Sequence, residues 1–303
     1  SKRYSLKVAP RYYIDKNYKF IKGVFSTKKT KTHSIQVAQK MYINKAYRDT
    51  ILNRIYRSEL REKAEYKYSD LGFIMIADML QNITGKPIQK YVENNIYKHL
   101  GTQDLGYLPL KRVNKKRIIP TQNDKFFRHQ LLRGYVHDPT AALLGGISGN
   151  AGLFGNVNDL AKLMQMYLQN GSYGNEQIIT DTIVKRFTAR AFPDGENRRG
   201  IGFDKPFLDT IDGGPTCISA SAESFGHTGF TGTMAWVDPK YDLIYLFLSN
   251  RINPNEWNTK LMKLDVRTDI QECIYQAIQT DKRVIKPLCT KQLLPIKKGV
   301  VCQ

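Results

Sequence analysis

The sequence has no apolar run near the roughly 18 residues that a membrane-crossing helix needs, which excludes a helical span. Cysteine is sparse: Cys217, Cys273, Cys289 and Cys302 form no C-x-x-C pair and no Cys/His cluster at zinc spacing, so no zinc module is read and no metal is expected. Disulfides are not legible from these positions, although Cys273 falls inside a helical apolar pattern and reads as a core residue. No secretory leader opens the chain, because Ser1-Lys2-Arg3-Tyr4 runs into a basic, aromatic stretch. With no initial Met, the chain reads as an internal piece of a longer protein. Acidic residues are few, 27 against 47 Lys and Arg over 303 residues, for a net charge of +20. The excess lies early, with thirteen Lys or Arg in residues 1–50 against Asp15 and Asp49. A basic surface attracts phosphates, but no zinc-finger, RNP or helix-turn-helix signature accompanies it. Nucleic acid is therefore not expected as a partner. A solvated basic face, or contact with an anionic envelope surface, accounts for the charge equally well.

What is present is a core-forming composition, 41% hydrophobic, enough for one large domain or two small ones. Residues 1–64 are basic and Tyr-rich, and Ile35, Val37, Ala38, Met41, Ala46, Ile51, Leu52 and Ile55 suggest short helices in an insertion-like lead-in. The stretch 71–83 is apolar almost all round, which predicts a buried helix ending at Gly85. Pro87 opens a second helix that stops at Gly101. Residues 102–135 read as loop with short elements. Gly145-Gly146-Ile147-Ser148-Gly149-Asn150-Ala151-Gly152 has no following Lys-Ser/Thr and no clear strand before it, so close backbone approach is a better reading than a phosphate loop. The next helix takes Asn156 or Asn158 as its N-cap. Strands are expected at 200–203, 232–237 and 243–249, the last apolar enough for a central position. A helix over about 256–280 closes the domain, and 281–303 read as a tail.

Two clusters carry chemistry-bearing residues. Tyr68-Ser69-Asp70 stands immediately before the apolar helix. Gly226-His227-Thr228-Gly229-Phe230-Thr231-Gly232 leads into a strand, where glycines mark a bulge or a close backbone approach. Either alone reads as structural. Together, in this order, they resemble the second and third motifs of the β-lactamase and penicillin-binding-protein superfamily, nearest its class C-like branch of esterases and D-amino-acid peptidases. Residues 83–87 (Ile-Thr-Gly-Lys-Pro), Gly149-Asn150-Ala151-Gly152-Leu153-Phe154, Trp236-Val237-Asp238-Pro239 and Phe247-Leu248-Ser249-Asn250-Arg251 extend the likeness over about 65–280. Members of this type are sometimes fused behind a family 3 glycoside hydrolase domain.

The resemblance implies an α+β fold of the β-lactamase/transpeptidase-like type, an antiparallel sheet flanked by helices, incomplete at the N-terminus. It implies three parts: lead-in 1–64, hydrolase domain 65–280 and tail 281–303. It implies a covalent acyl-enzyme mechanism with no organic cofactor, on an amide or ester in the bacterial envelope, in the periplasm or cell envelope. Peptidoglycan-type peptides, D-amino-acid peptides and small esters are the candidate substrates. By position, Tyr68 would manage the proton with a lysine. His227 would supply positive field or bind a carboxylate, with Thr228 as hydrogen-bond partner. The Phe230 N–H beside Gly229 would be an oxyanion donor. Asp70 stands where Asn is usual, and His227 where Lys is commoner, so the charge there depends on pH. The nucleophile of a Ser-x-x-Lys motif is unassigned: the single match, Ser26-Thr27-Lys28-Lys29, sits in a basic run with no buried-helix pattern. The chain alone is therefore expected to be inactive and marginally stable. A β-lactamase proper and a non-catalytic binding module of the same fold are the rival readings. His137-Asp138 reads as a buttress of the cleft, since adjacent side chains diverge on most backbones.

Overall fold

A computed structural model describes residues 13, 19–63, 66–192, 197–208 and 214–280. The tail at 281–303, with Cys289 and Cys302, lies outside the described residues. The chain opens with β1 (Phe25–Ser26), β2 (Ile35–Ala38) and β3 (Met41–Ile43), an antiparallel sheet in the order β1-β3-β2. Helices were expected over 34–43. Strands form instead because Ile35/Val37 and Met41/Ile43 repeat every second residue, and the alternation puts Val37, Met41 and Ile43 into the core. Helix α1 (Ala46–Tyr56) follows, burying Ile51, Leu52 and Ile55. These residues share one core with Ile74, Phe127, Leu132, Val136 and residues 141–143.

Helix α2 (Leu71–Thr84) ends at Gly85, whose φ of 64° is the left-handed stop. It is followed by α3 (Ile88–Val92) and a π turn at Glu93–Tyr97. Strands β4 (Pro120–Asp124) and β5 (Gln130–Arg133) form a hairpin in the stretch read as loop. Then come α4 (Pro139–Leu143), with Asp138 capping it through Ala141 N–H at 2.7 Å, and α5 (Val157–Leu168). Asn156 is the N-cap of α5, accepting from Asp159 N–H at 2.8 Å. The short pair β6 (Ser172–Tyr173) and β7 (Glu176–Gln177) precedes α6 (Asp181–Thr188).

The C-terminal sheet is an antiparallel meander of β8 (Phe225–Thr228), β9 (Met234–Asp238) and β10 (Leu243–Phe247), in the order β10-β9-β8. Period-two alternation divides its side chains. Phe225, Ala235, Val237, Ile244 and Leu246 pack with Leu160, Met164, Tyr167 and Leu168 of α5. Met234, Trp236, Tyr245 and Phe247 pack with Ile274 of the last helix. The central strand is thus β9, and β10, expected to be central, is an edge of this sheet. Its continuous apolar run reflects helices on both faces. Residues 200–203 form no strand; a single bridge pairs Asp204 with Gly226.

The closing helix is broken into α7 (Lys260–Lys263) and α8 (Val266–Thr280) at Asp265, whose φ is 45°. Trp257, Leu264 and Ile270, expected on its inner face, are exposed, as is Cys273. The buried residues of α8 are Gln271 and Tyr275. Gln271 Oε1 accepts from Thr216 Oγ1 at 2.8 Å, and Tyr275 OH donates to Asp238 at 2.6 Å.

The Gly-rich segment brings backbones together, with no phosphate-loop geometry. A Cβ on Gly149 would fall 2.0 Å from the Phe73 carbonyl of α2. Helix α2 itself departs from expectation. Ile74 is its one buried residue, while Ile76, Met79 and Ile83 are 54%, 53% and 74% exposed. Arg48 and Tyr56 of α1 hold it by hydrogen bonds to Asp78 at 3.1 and 2.7 Å, while Phe73, Met75, Ile76, Met79 and Ile83 stay exposed. A solvent-exposed apolar face of this kind binds hydrophobic probes. The protein should therefore enhance anilinonaphthalene sulfonate fluorescence at neutral pH, and Ile76→Asp/Met79→Asp should remove most of that signal. An unchanged signal in the double variant would place the exposed surface elsewhere.

Candidate active site

Tyr68 lies in the extended segment just before α2, and His227 lies on β8. They are 159 positions apart in the chain, and their ring centroids are 6.4 Å apart. The residue that joins them is Arg199, to which the sequence reading gave no role. Its guanidinium carbon lies 5.2 Å from the centre of the Tyr68 ring, a cation–π distance. One Arg199 N–H donates to His227 Nε2 at 2.9 Å, another to Tyr66 OH at 2.8 Å, and a third to Asp204 Oδ2 at 3.1 Å. Asp204 is buried and also pairs with Arg198 at 2.9 Å. Two backbone hydrogen bonds, Asp204 N–H to Gly226 O at 2.7 Å and the reverse at 3.0 Å, fix Asp204 against β8. The signal in the sequence was slight: two adjacent arginines five and six residues before an isolated aspartate.

These contacts determine the form of His227. Its Nδ1 lies 2.7 Å from the Thr228 carbonyl, which can only accept, so Nδ1 carries the proton. Nε2 then offers a lone pair to Arg199. Burial lowers the His227 pKa, and the nearby Arg199 charge lowers it further, against the Thr228 carbonyl, which raises it. The ring is neutral at pH 7. The positive field beside Tyr68 comes from Arg199. Burial raises the Tyr68 pKa, as does the Asp70 charge, and Arg199 opposes both. The hydroxyl is a proton donor unless more positive charge reaches it.

The loop after β8 is shaped by glycine. Gly232 has φ of 102°, a conformation open to glycine, and its N–H donates to Gly229 O at 3.0 Å. Between them, the Phe230 N–H has no protein acceptor among the described residues. The Phe230 ring is stacked on His137 at 4.7 Å with planes 6° apart, and the Arg251 guanidinium carbon lies 4.8 Å from its centre. His137 Nδ1 donates to Gln122 Oε1 at 2.7 Å. Burial lowers the His137 pKa to about 4, with the Arg128 charge contributing. His137 and Asp138 point apart, toward Phe230 and toward the N-terminus of α4.

Arg128 holds that segment in place. It is buried, donates to the Val136 and His137 carbonyls at 2.6 and 2.7 Å, and pairs with buried Asp124 at 2.6 Å.

The remaining candidates make no hydrogen bond or ion pair with Arg199 among the described residues. Asp70 precedes α2 without capping it; Ser69 Oγ instead accepts from Leu71 N–H at 3.3 Å. Burial raises the Asp70 pKa, as does the charge of Asp138. Asp138, itself half-buried, is raised chiefly by desolvation. Thr228 ends β8 opposite Met234. Ser26 Oγ is used within its own turn, donating to Lys28 O at 2.8 Å and accepting from Lys28 N–H at 3.1 Å. Among the described residues no cluster of three or more His, Cys, Asp or Glu is placed to hold a metal, and no helix is long and apolar enough to cross a membrane.

The β-lactamase family profile matches residues 32–264. The chain belongs to the β-lactamase family. Among curated proteins it is 31% identical over 243 residues to a protein of Salmonella gallinarum named "Putative D-alanyl-D-alanine carboxypeptidase", covering 73% of this chain and 55% of that protein. A protein of the same name from Salmonella paratyphi B is 31% identical over 255 residues, covering 77% and 58%. The chain thus spans a little over half the length of these relatives. Among solved structures, simvastatin synthase (LovD) from Aspergillus terreus superimposes with a TM-score of 0.50 at 17% identity, covering 71% of this chain and 56% of that one. That likeness shows the fold, which is β-lactamase/transpeptidase-like, with antiparallel sheets and helices.

Two variants test the local physics. Arg199→Gln removes both the charge beside His227 and the donor to Nε2, so the His227 pKa should rise toward its ordinary value near 6.5. A pH titration of the His227 ring carbon-bound proton by NMR reads this directly; a fall or no change would refute the Arg199 account. Asp124→Asn leaves Arg128 buried and uncompensated, which should cost about 3–5 kcal/mol in urea unfolding. Burial pushes the Asp124 carboxyl up, but the Arg128 charge and hydrogen bonds outweigh it and hold the pKa below the ordinary range. The contribution of this pair is therefore present above the unfolded carboxylate value of about 3.9 and is lost as pH falls through the lower folded pKa.

Proposed function

We propose that residues 66–280 provide the tyrosine side and the oxyanion side of the acyl-transfer site of a serine hydrolase, acting on an amide or ester of the bacterial envelope. A peptide ending in D-alanyl-D-alanine is the leading substrate class, because the curated relatives carry that name and sequence likeness to them extends over most of the chain. An envelope location follows from such a substrate. The observation that carries the reading is the meeting of Tyr68 and His227 across Arg199. Tyr68 is the proton-managing residue. Neutral His227 orients Arg199 and the end of β8. The free Phe230 N–H is an oxyanion donor, held in place by the His137 stack. Burial and the Asp138 charge raise the Asp70 pKa, a shift in the direction of the uncharged Asn that is usual at this position.

The nucleophile on this reading is not Ser26, whose hydroxyl is bound within its own turn and whose motif lysine, Lys29, lies in a basic run. It is provided by a Ser-x-x-Lys segment outside these 303 residues. Residues 1–64 act as lead-in to the hydrolase domain at 65–280.

Two measurements test this. Residues 1–303, treated with fluorescent penicillin and with a fluorophosphonate probe, should show no adduct by intact-mass spectrometry; stoichiometric labelling of Ser26 would overturn the assignment. In a protein carrying the upstream Ser-x-x-Lys segment, Tyr68→Phe should lower kcat/KM for D-alanine release by about 10²–10⁴-fold, the usual contribution of general acid–base catalysis. Wild-type turnover of a chromogenic cephalosporin exceeding that of the D-alanyl peptide would favour a β-lactamase.

A further inference from the structure

A cavity whose lining includes neither Tyr68 nor His227 lies between the β2–β3 hairpin and the segments 108–111, 134–136 and 144–147. Its volume is about 560 Å³, within the roughly 300–1,000 Å³ of small-ligand sites. Its walls are mainly apolar, with Ile35, Val37, Leu110, Val136, Ile147 and Phe154 among them. The charged residues on its lining are Lys29, Arg48 and Lys111, and no Asp or Glu lines it. Arg48 is used by Asp78 at 3.1 Å. Lys29 and Lys111 are exposed, and their ammonium groups have no partner among the described residues. The Tyr42 hydroxyl is likewise without a partner among the described residues, while Gln36 Nε2 donates to Tyr135 OH at 3.1 Å across the wall.

The shape is held by residues that cannot easily close it. Gly145 and Gly146 have φ of 91° and 80°, and a Cβ on either would stand 3.1 Å from Ile35 or Leu108. Ile35 and Leu108 therefore already touch the glycine backbone, and a side chain at either position would crowd them. Val136 is anchored through its carbonyl by buried Arg128 at 2.6 Å.

We propose that this cavity is a binding site for a small amphipathic carboxylate, whose apolar tail lies against Ile35, Val37 and Leu110 and whose head meets Lys29 and Lys111. An apolar interior selects a tail, and two unpaired cations without a neighbouring acid select a single anionic head. The site is independent of the acyl-transfer reading: it uses neither Tyr68 nor His227 and stands or falls separately.

Dodecanoate at micromolar concentration is the probe, titrated into the 303-residue chain by isothermal calorimetry, with dodecanol as its uncharged counterpart. The expected result is saturable one-to-one binding, at least tenfold tighter for dodecanoate than for dodecanol. Lys29→Glu/Lys111→Glu should weaken dodecanoate at least tenfold. Both lysines are exposed, so circular dichroism should show that this variant stays folded. Ile76→Asp/Met79→Asp on α2 should leave the affinity unchanged. The proposal is overturned by an absence of saturable binding, by equal affinity for dodecanol, by an undiminished affinity in the lysine variant, or by loss of binding in the α2 variant, which would put the fatty chain on the exposed helix.

Discussion

The geometry of the candidate site hangs on one buried carboxylate. Asp204 has left water, which is costly for a charge, and it is matched by Arg198 and Arg199 and tied by its backbone to Gly226. Because Gly226 directly precedes His227 on β8, the position of Asp204 is fixed relative to the histidine by two peptide hydrogen bonds. Arg199 inherits that position. Its planar fork of donors reaches Asp204, His227 and Tyr66 at once, an arrangement a lysine could not reproduce. The Tyr68 ring rests against the same guanidinium. Removing the carboxylate would leave two half-buried cations beside each other without their shared acceptor.

This arrangement changes what His227 can contribute. A histidine at a position where the resemblance implies that Lys is commoner invites the expectation of a charge that fades with rising pH. Here the ring donates through Nδ1 to a carbonyl and accepts through Nε2 from an arginine. Protonating Nε2 would set two donors against each other. The positive potential beside Tyr68 therefore rests on a guanidinium, which stays charged across the physiological range. It does not rest on an imidazole. Raising the Tyr68 pKa by burial while opposing it with Arg199 leaves the hydroxyl short of being a base, and a second cation would tip that balance.

What was legible in the sequence was what local pattern controls. Gly149 and Gly232 stand where backbone or φ demands glycine, and the alternation in β9 sorts Val237 from Trp236 onto opposite faces. The family resemblance rested on Tyr68 and on 226–232, and the structure puts both beside Arg199. Misreadings arose where burial and hydrophobicity part company. In α8 the inner positions are Gln271 and Tyr275, whose polar atoms meet Thr216 and Asp238, while Trp257 and Ile270 face solvent. A count of apolar residues chose the wrong face. In 34–43 a mixture of Ile, Val, Ala and Met fits either period until the pairing of Gln36 with Tyr42 is known. Arg199 escaped notice because its partners lie 5 to 133 positions away, and no local spacing announces such a set.

The two sides of the site are not equally rigid in their construction. On the proposed oxyanion side, Asp124 binds Arg128, Arg128 grips the Val136 and His137 carbonyls, and His137 stacks on Phe230. Asp124 and Arg128 are buried and His137 half-buried, and the chain leads back to the β4–β5 hairpin, so the surface on which the 60%-exposed Phe230 ring stacks is held firmly, which would preorganise the Phe230 N–H in its proposed role. On the tyrosine side the support is thinner. Tyr68 is 59% exposed, and its segment is held by the Tyr66–Arg199 bond and by the start of α2. Helix α2 is itself fastened to α1 through Asp78 and buries a single side chain, Ile74. A buried apolar side chain contributes roughly 1.5–3 kcal/mol, so each additional residue of α2 taken from water would stiffen the element that carries Tyr68. A contact that covered Ile76, Met79 and Ile83 would therefore also stiffen the segment that carries Tyr68, which couples burial of α2 to the geometry of the candidate site.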